Sequence, residues 1–112
     1  MPGKFEVKQA KNGKFFFNLK AGNGEIILTS QMYADKRGCK NGIESVKKNS
    51  ASDALFEAME DKSGSPYFVL KAKNQEVIGR SESYSSKSSM KKGMASVMKN
   101  ASDARVVEIE AQ

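Results

Sequence analysis

Apolar and polar positions alternate along this chain with two different periods, one following the other. Phe5 and Val7 alternate with Glu6 and Lys8, and Phe15, Phe17 and Leu19 alternate with Phe16, Asn18 and Lys20. That period of two is what a half-buried strand requires. Ala10-Lys11-Asn12-Gly13 lies between these runs and carries the Asn-Gly hairpin signal. Ala21-Gly22-Asn23-Gly24 reads as a second turn, leading to the strand Glu25-Ile26-Ile27-Leu28-Thr29. The period then lengthens: Cys39, Gly42, Ile43 and Val46 fall on one face of a helix. Asp35 stands where an N-cap would accept from free N–H groups, and Asn49 suits a left-handed residue just past the helix.

The same order then repeats. Shifted by about 51 positions, the chain matches itself. Phe17-Asn18-Leu19-Lys20-Ala21 falls on Phe68-Val69-Leu70-Lys71-Ala72, Ser30 and Tyr33 on Ser81 and Tyr84, and Gly42, Ser45, Val46 and Asn49 on Gly93, Ser96, Val97 and Asn100. Asn41-Gly42 alone could be a turn, but its counterpart Lys92-Gly93 carries no turn signal, so the helix reading holds in both copies. Ser86 is the second N-cap. An apolar-Glu-apolar triplet occurs three times at the same spacing, as Phe5-Glu6-Val7, Phe56-Glu57-Ala58 and Val107-Glu108-Ile109. The last reads as the first strand of a third unit that never continues. The chain therefore divides into repeat one (4–53), repeat two (54–103) and a closing strand (104–110) within a single domain spanning 1–112. Half of 112 residues would struggle to bury a core alone, so the copies should share one. The expected fold is α+β: a tandem duplication of a β3-α(-β) unit forming one mainly antiparallel sheet of six or seven strands, with two helices on one face.

Asn23-Gly24-Glu25-Ile26-Ile27, Ser30, Tyr33 and Asn41-Gly42-Ile43-Glu44-Ser45-Val46-Lys47-Lys48-Asn49 resemble the signature of the YegP-like family, bacterial proteins containing the domain of unknown function 1508. The second copy carries a looser form, with Gly79 for Leu28 and Ser88-Ser89 for Arg37-Gly38. The resemblance implies a β3-α-β unit, in tandem or once per subunit of a dimer, whose units join in a single sheet and swap their last strands. It implies no activity, cofactor or catalytic residue.

Composition narrows the chemistry. No histidine is present, which removes the commonest general base and metal ligand. The single cysteine, Cys39, excludes an internal disulfide and points to a reducing cytoplasm. Met1-Pro2-Gly3-Lys4 shows no apolar signal region, and no membrane association is expected. The net charge of +6 makes a polyanion a candidate partner, although solubility alone explains it.

The duplication filters the candidate motifs. Cys39 falls on Met90, as a packing position would. Ser88-Ser89-Met90-Lys91 has a Ser-x-x-Lys spacing without its supporting motifs. Gly22-Asn23-Gly24 becomes Lys73-Asn74-Gln75, which a hairpin turn tolerates and a phosphate loop does not. The repeated glutamates read as strand surface. No catalytic, cofactor-binding or metal-ligating residue is expected, and no cofactor. Two surfaces remain. Lys36, Lys40 and Lys48 recur as Lys87, Lys91 and Lys99 on the helix faces, a candidate polyanion-binding surface. Phe16, Tyr67 and Val69 lie on the opposite, sheet side, a candidate contact patch for a protein partner or a second copy. The favoured function is a small cytoplasmic, non-enzymatic binding module. Weak electrostatic binding of RNA or DNA through the six lysines is the alternative, and an enzyme ranks last.

Overall fold

Two sets of three strands and a helix, with one further strand, build a single seven-stranded mixed sheet. The computed structural model describes residues 3–109, so Glu110 of the expected closing strand lies outside the described residues. The elements are β1 (Lys4–Gln9), β2 (Phe15–Lys20), β3 (Ile26–Ser30), α1 (Lys36–Asn49), a single 3-10 turn (Asp53–Leu55), β4 (Phe56–Glu60), β5 (Pro66–Lys71), β6 (Val77–Arg80), α2 (Lys87–Asn100) and β7 (Arg105–Glu108). The strand order is β4-β5-β6-β3-β2-β1-β7. All pairings are antiparallel except β1 with β7, which is parallel. Both helices lie on the face bearing Phe17 and Phe68, so the α+β fold read from the periodicities is the fold observed.

Each hairpin turn pairs an Asx side chain with a left-handed residue. Asn12 Oδ1 accepts from Lys14 N, Asn23 from Glu25 N, Asp61 from Ser63 N and Asn74 from Glu76 N. The left-handed positions are Gly13, Gly24, Gly64 and, in the fourth turn, Gln75 at φ 76°. Among the described residues Gln75 is therefore the one strained turn residue, standing where the first copy has Gly24.

The halves meet at β3 and β6, where Thr29 pairs with Arg80 and Ser30 with Gly79. Thr29 and Arg80 are repeat counterparts, so a pseudo-twofold axis passes between them. Next to that axis Leu28 fills the space its own counterpart, Gly79, leaves open: a Cβ at Gly79 would come within 3.0 Å of Leu28 Cγ. Two identical units could not divide a large and a small residue this way across an axis, whereas a fused chain can.

The core also repeats. Phe5 meets Phe17 edge-on at 5.6 Å and Phe56 meets Phe68 likewise at 5.6 Å. Tyr33 stacks on Phe17 and Tyr84 on Phe68, each at 6.3 Å. Each tyrosine hydroxyl occupies the spot where a side chain at Gly42 or Gly93 would begin. This is why a glycine sits in mid-helix, and why Asn41-Gly42 is no turn. Asp35 and Ser86 are N-caps, accepting from Gly38 N and Ser89 N.

Two expectations need correction. Asn49 and Asn100 are not left-handed residues beyond the helices. They are the last helical residues, each Nδ2 donates to the carbonyl and hydroxyl of Ser45 or Ser96, and the caps that follow, Ser50 and Ala101, are right-handed. The side-chain amide bonds back into the preceding turn, so the chain leaves the helix without a left-handed residue. Second, β7 does not repeat the role of β1. Val107 pairs with Glu6 and Glu108 with Val7, so Glu108 faces the helices while Glu6 and Glu57 face away. The triplet recurs in sequence, but a strand laid parallel on β1 with this register presents the opposite face. Because β7 follows α2 and pairs with β1, it ties repeat two to repeat one.

Candidate functional site

Ser30, Tyr33, Gly42, Ser45 and Asn49, with their counterparts in repeat two, are occupied by the fold. Ser30 Oγ accepts from Phe17 N and donates to Gln31 O, and Ser81 Oγ does the same between Phe68 N and Glu82 O. These serines satisfy backbone groups at the end of each ladder away from the register shifts at Leu19/Lys20 and Leu70/Lys71. Tyr33, Gly42, Ser45 and Asn49 have the packing and capping roles given above. Cys39 is fully buried, and burial pushes its thiol up to about 11, far from the thiolate a nucleophile needs. Ser88 is an exposed residue in the first turn of α2.

Lys36, Lys40, Lys48, Lys87, Lys91 and Lys99 are all exposed and spread over both helices. Lys36 Nζ lies 3.0 Å and Lys40 Nζ 3.7 Å from the Glu108 carboxylate, so this pair ties α1 to β7. Hydrogen bonds from Lys36, and the charges of both lysines, hold the Glu108 carboxyl below its ordinary value. Lys48, Lys87, Lys91 and Lys99 stand along the outer surfaces of the two helices.

Among the described residues, no helix lies on the other face of the sheet. Strand alternation and register place on it Glu57 and Met59 of β4, Tyr67, Val69 and Lys71 of β5, Ile78 and Arg80 of β6, Ile27 and Thr29 of β3, Phe16, Asn18 and Lys20 of β2, Lys4, Glu6 and Lys8 of β1, and Arg105 and Val107 of β7. Its strands therefore bring six cations against two carboxylates. Phe16 and Tyr67 are half-buried, and Arg80 lies over the Tyr67 ring at 4.8 Å. Val69 is not the exposed contact expected of it. It is only 5% exposed, because the neighbouring side chains of β4 and β6 close over this interior strand.

The most concentrated charge on this face surrounds Glu6. Lys4 Nζ lies 3.2 Å, Lys20 Nζ 3.0 Å and Lys8 Nζ 3.6 Å from its carboxylate. Burial pushes this carboxyl up, but the hydrogen bonds and charges of Lys20 and Lys4 outweigh it and hold it below its ordinary value. Arg105 pairs with Lys4 across the β1–β7 ladder and adds a fourth cation. The counterpart carboxylate, Glu57, pairs with Lys71. The positions equivalent to Lys4 and Lys8 are Leu55 and Met59. The duplication singled out Lys20 and Lys71 but passed over Lys4, Lys8, Arg80 and Arg105, because these do not repeat. Period two on β1, with lysines flanking Glu6 on both sides, is the signal that could have found two of them.

Depressions elsewhere are open. Two grooves of about 440 and 380 Å³ are repeat counterparts: the turn after β2 runs along α2, and the turn after β5 along α1. Among the described residues no group of three or more acidic or sulfur side chains could hold a metal ion, and no helix is long and apolar enough to cross a membrane.

Comparison with known proteins gives one consistent answer. The family described as domain of unknown function DUF1508 matches twice, at residues 10–57 and 61–108. A UPF0339 protein YegP from Yersinia pestis is 58% identical over 98 residues, covering 88% of both chains. A UPF0339 protein from Acinetobacter baylyi is 50% identical over 109 residues, covering 97% of this chain and 98% of its own. The solution NMR structure of the E. coli protein of unknown function yegP superposes with a TM-score of 0.93 at 39% identity, over 100% of this chain and 97% of that one. That of a UPF0339 protein from Shewanella oneidensis gives 0.90 at 44%, over 96% and 92%. With two tandem matches, relatives this similar along almost their whole length and a shared fold, the chain belongs to the DUF1508 family of YegP-like UPF0339 proteins, in its tandem-repeat form.

Proposed function

We propose that the chain is a non-catalytic binding module that acts in the cytoplasm and makes its contacts through the helix-free face of its sheet. One observation carries this reading: seven paired strands present two half-buried rings, Phe16 and Tyr67, and six cations, four of them grouped at the β2-β1-β7 end, on a face that no described helix covers. A module needs such a surface to be formed in advance, because a preordered face costs less conformational entropy on binding. Among the signature residues, Ser30, Tyr33, Gly42, Ser45 and Asn49 serve packing, capping or backbone pairing, and none of these lies on the helix-free face. Buried, high-pKa Cys39 supports a scaffold role for the helix side and suits a reducing compartment.

In-cell photo-crosslinking tests the reading. A photo-reactive amino acid replaces Met59, exposed on the helix-free face, or Met98, exposed on α2. Specific adducts from position 59 and none from position 98 are expected. Adducts from position 98 alone, or none from either, would overturn the assignment. Binding through the helix lysines is the second reading. It is less favoured because Lys36 and Lys40 already pair with Glu108.

A further inference from the structure

We propose that the helix-free face binds single-stranded nucleic acid, with backbone phosphates on the Lys4, Lys8, Lys20 and Arg105 cluster and an unstacked base on Phe16. This rests on the binding-module reading above and names its partner.

Comparison of the two repeats carries the argument. In repeat two one lysine, Lys71, pairs with Glu57, and the strand forms normally. In repeat one Lys20 makes the equivalent contact with Glu6, yet Lys4 and Lys8 also converge on the same carboxylate. The strand needs one lysine beside this glutamate, as its counterpart Glu57 shows; Lys4 and Lys8 are surplus to it. Like charges gathered this closely repel one another, and a single carboxylate offsets only one of them. Arg105 adds a further cation beside Lys4. A bound phosphate relieves that repulsion, and Glu6, only 5% exposed, keeps the ammonium groups converged before any ligand arrives.

Phe16 decides what kind of polyanion fits. It pairs directly with Lys8 across β1 and β2, so its ring is on the same face one strand away from the cluster. A face seven strands across, at about 4.8 Å per strand, is far broader than a major groove of about 12 Å, but it can offer an aromatic surface to an unstacked base next to a neutralised phosphate. Toward the other end, Arg80 and Tyr67 offer a second cation and ring along the same face. An acidic protein would satisfy the lysines but would have no use for ring and cation side by side.

Fluorescence anisotropy of the full chain with labelled oligothymidylate and oligouridylate, and with a duplex of the same length, tests this at about 50 mM salt, where electrostatic binding is strong. Binding of either single strand in preference to the duplex is expected. Phe16→Leu keeps the apolar volume and removes the ring; it should weaken binding roughly tenfold, the scale of one base–aromatic stack. Lys4→Ala/Lys8→Ala should lower the salt slope by about 1.4, as two lost phosphate contacts require on a single strand. Lys87→Ala/Lys91→Ala on α2 should leave the slope unchanged. Absent binding, equal binding to the duplex, or a loss confined to the α2 variant would each overturn the proposal. Crosslinks from position 59 to protein alone, with no oligonucleotide bound, would overturn it while leaving the binding-module reading in place.

Discussion

Replacing Gly93 by alanine should destabilise the protein, although alanine is the better helix former. In an exposed helix this exchange gains about 1 kcal/mol. Here the new Cβ falls on the Tyr84 hydroxyl, 2.7 Å from Cζ and 3.2 Å from Phe68 Cε2. The tyrosine cannot rotate away freely, because it is stacked on Phe68 with an interplanar angle of 12°. It must shift as a ring, and overpacking of this kind costs about 1–3 kcal/mol. A Cβ this close to the ring puts the clash in the upper part of that range, about 2–3 kcal/mol, so it outweighs the propensity gain for a net loss of roughly 1–2 kcal/mol. Urea unfolding followed by circular dichroism reads this as a lower midpoint with an unchanged slope. The control is Gly93→Ala introduced into a Tyr84→Ala background. With the ring gone, the propensity term should dominate, and the second substitution should stabilise by up to about 1 kcal/mol. That change of sign is the diagnostic result. Gly42 and Tyr33 provide an internal replicate, since a Cβ there lies 2.6 Å from Tyr33 Cζ. If Gly93→Ala were neutral or stabilising with Tyr84 intact, the packing account of the signature glycines would be wrong.

Three further outcomes are expected. Gln75→Gly should raise stability by about 1 kcal/mol in urea unfolding, because Gln75 holds φ 76° where Gly24 sits in the other copy; Gly24→Ala should lower it. Gly79→Leu should cost about 1–3 kcal/mol, since Leu28 already fills that space beside the pseudo-twofold axis, and Leu28→Ala in the same chain should recover part of the loss. Glu6 has a folded-state pKa below its ordinary 4.5, so its contribution is present above that value and is lost as pH falls through the folded pKa. Glu6→Gln should therefore be less stable at neutral pH and show a shallower loss in acid, measured as unfolding midpoints across pH 3–7 (about that range).

Much of this architecture is legible in the sequence because it is local. Alternation over Phe5–Lys8 and Phe15–Lys20 marks the strands, Cys39, Gly42, Ile43 and Val46 mark the inward helix face, and self-matching turns one set of inferences into two. What failed depends on tertiary context. The face that Glu108 presents is set by the parallel register of β7 on β1, and no local pattern encodes that register. Likewise the exposure of Val69 depends on which strands come to lie on either side of it. The candidate site was harder still. Self-matching favours residues that recur, and Ser30, Tyr33, Gly42, Ser45 and Asn49 with their counterparts proved to be residues the fold uses. Lys4 and Lys8 stand out only once Lys20 is brought across from β2 to the same carboxylate.

Chemical-shift mapping on the isotopically labelled chain, titrated with a short oligothymidylate at low salt, tests the functional assignment most directly. Perturbations should concentrate in β1, β2 and β7, around Lys4, Lys8, Phe16, Lys20 and Arg105, and spread across the sheet toward Arg80 and Tyr67 while α1 and α2 stay still. Perturbations centred on Lys87, Lys91 and Lys99 instead, or none at saturating oligonucleotide, would contradict it.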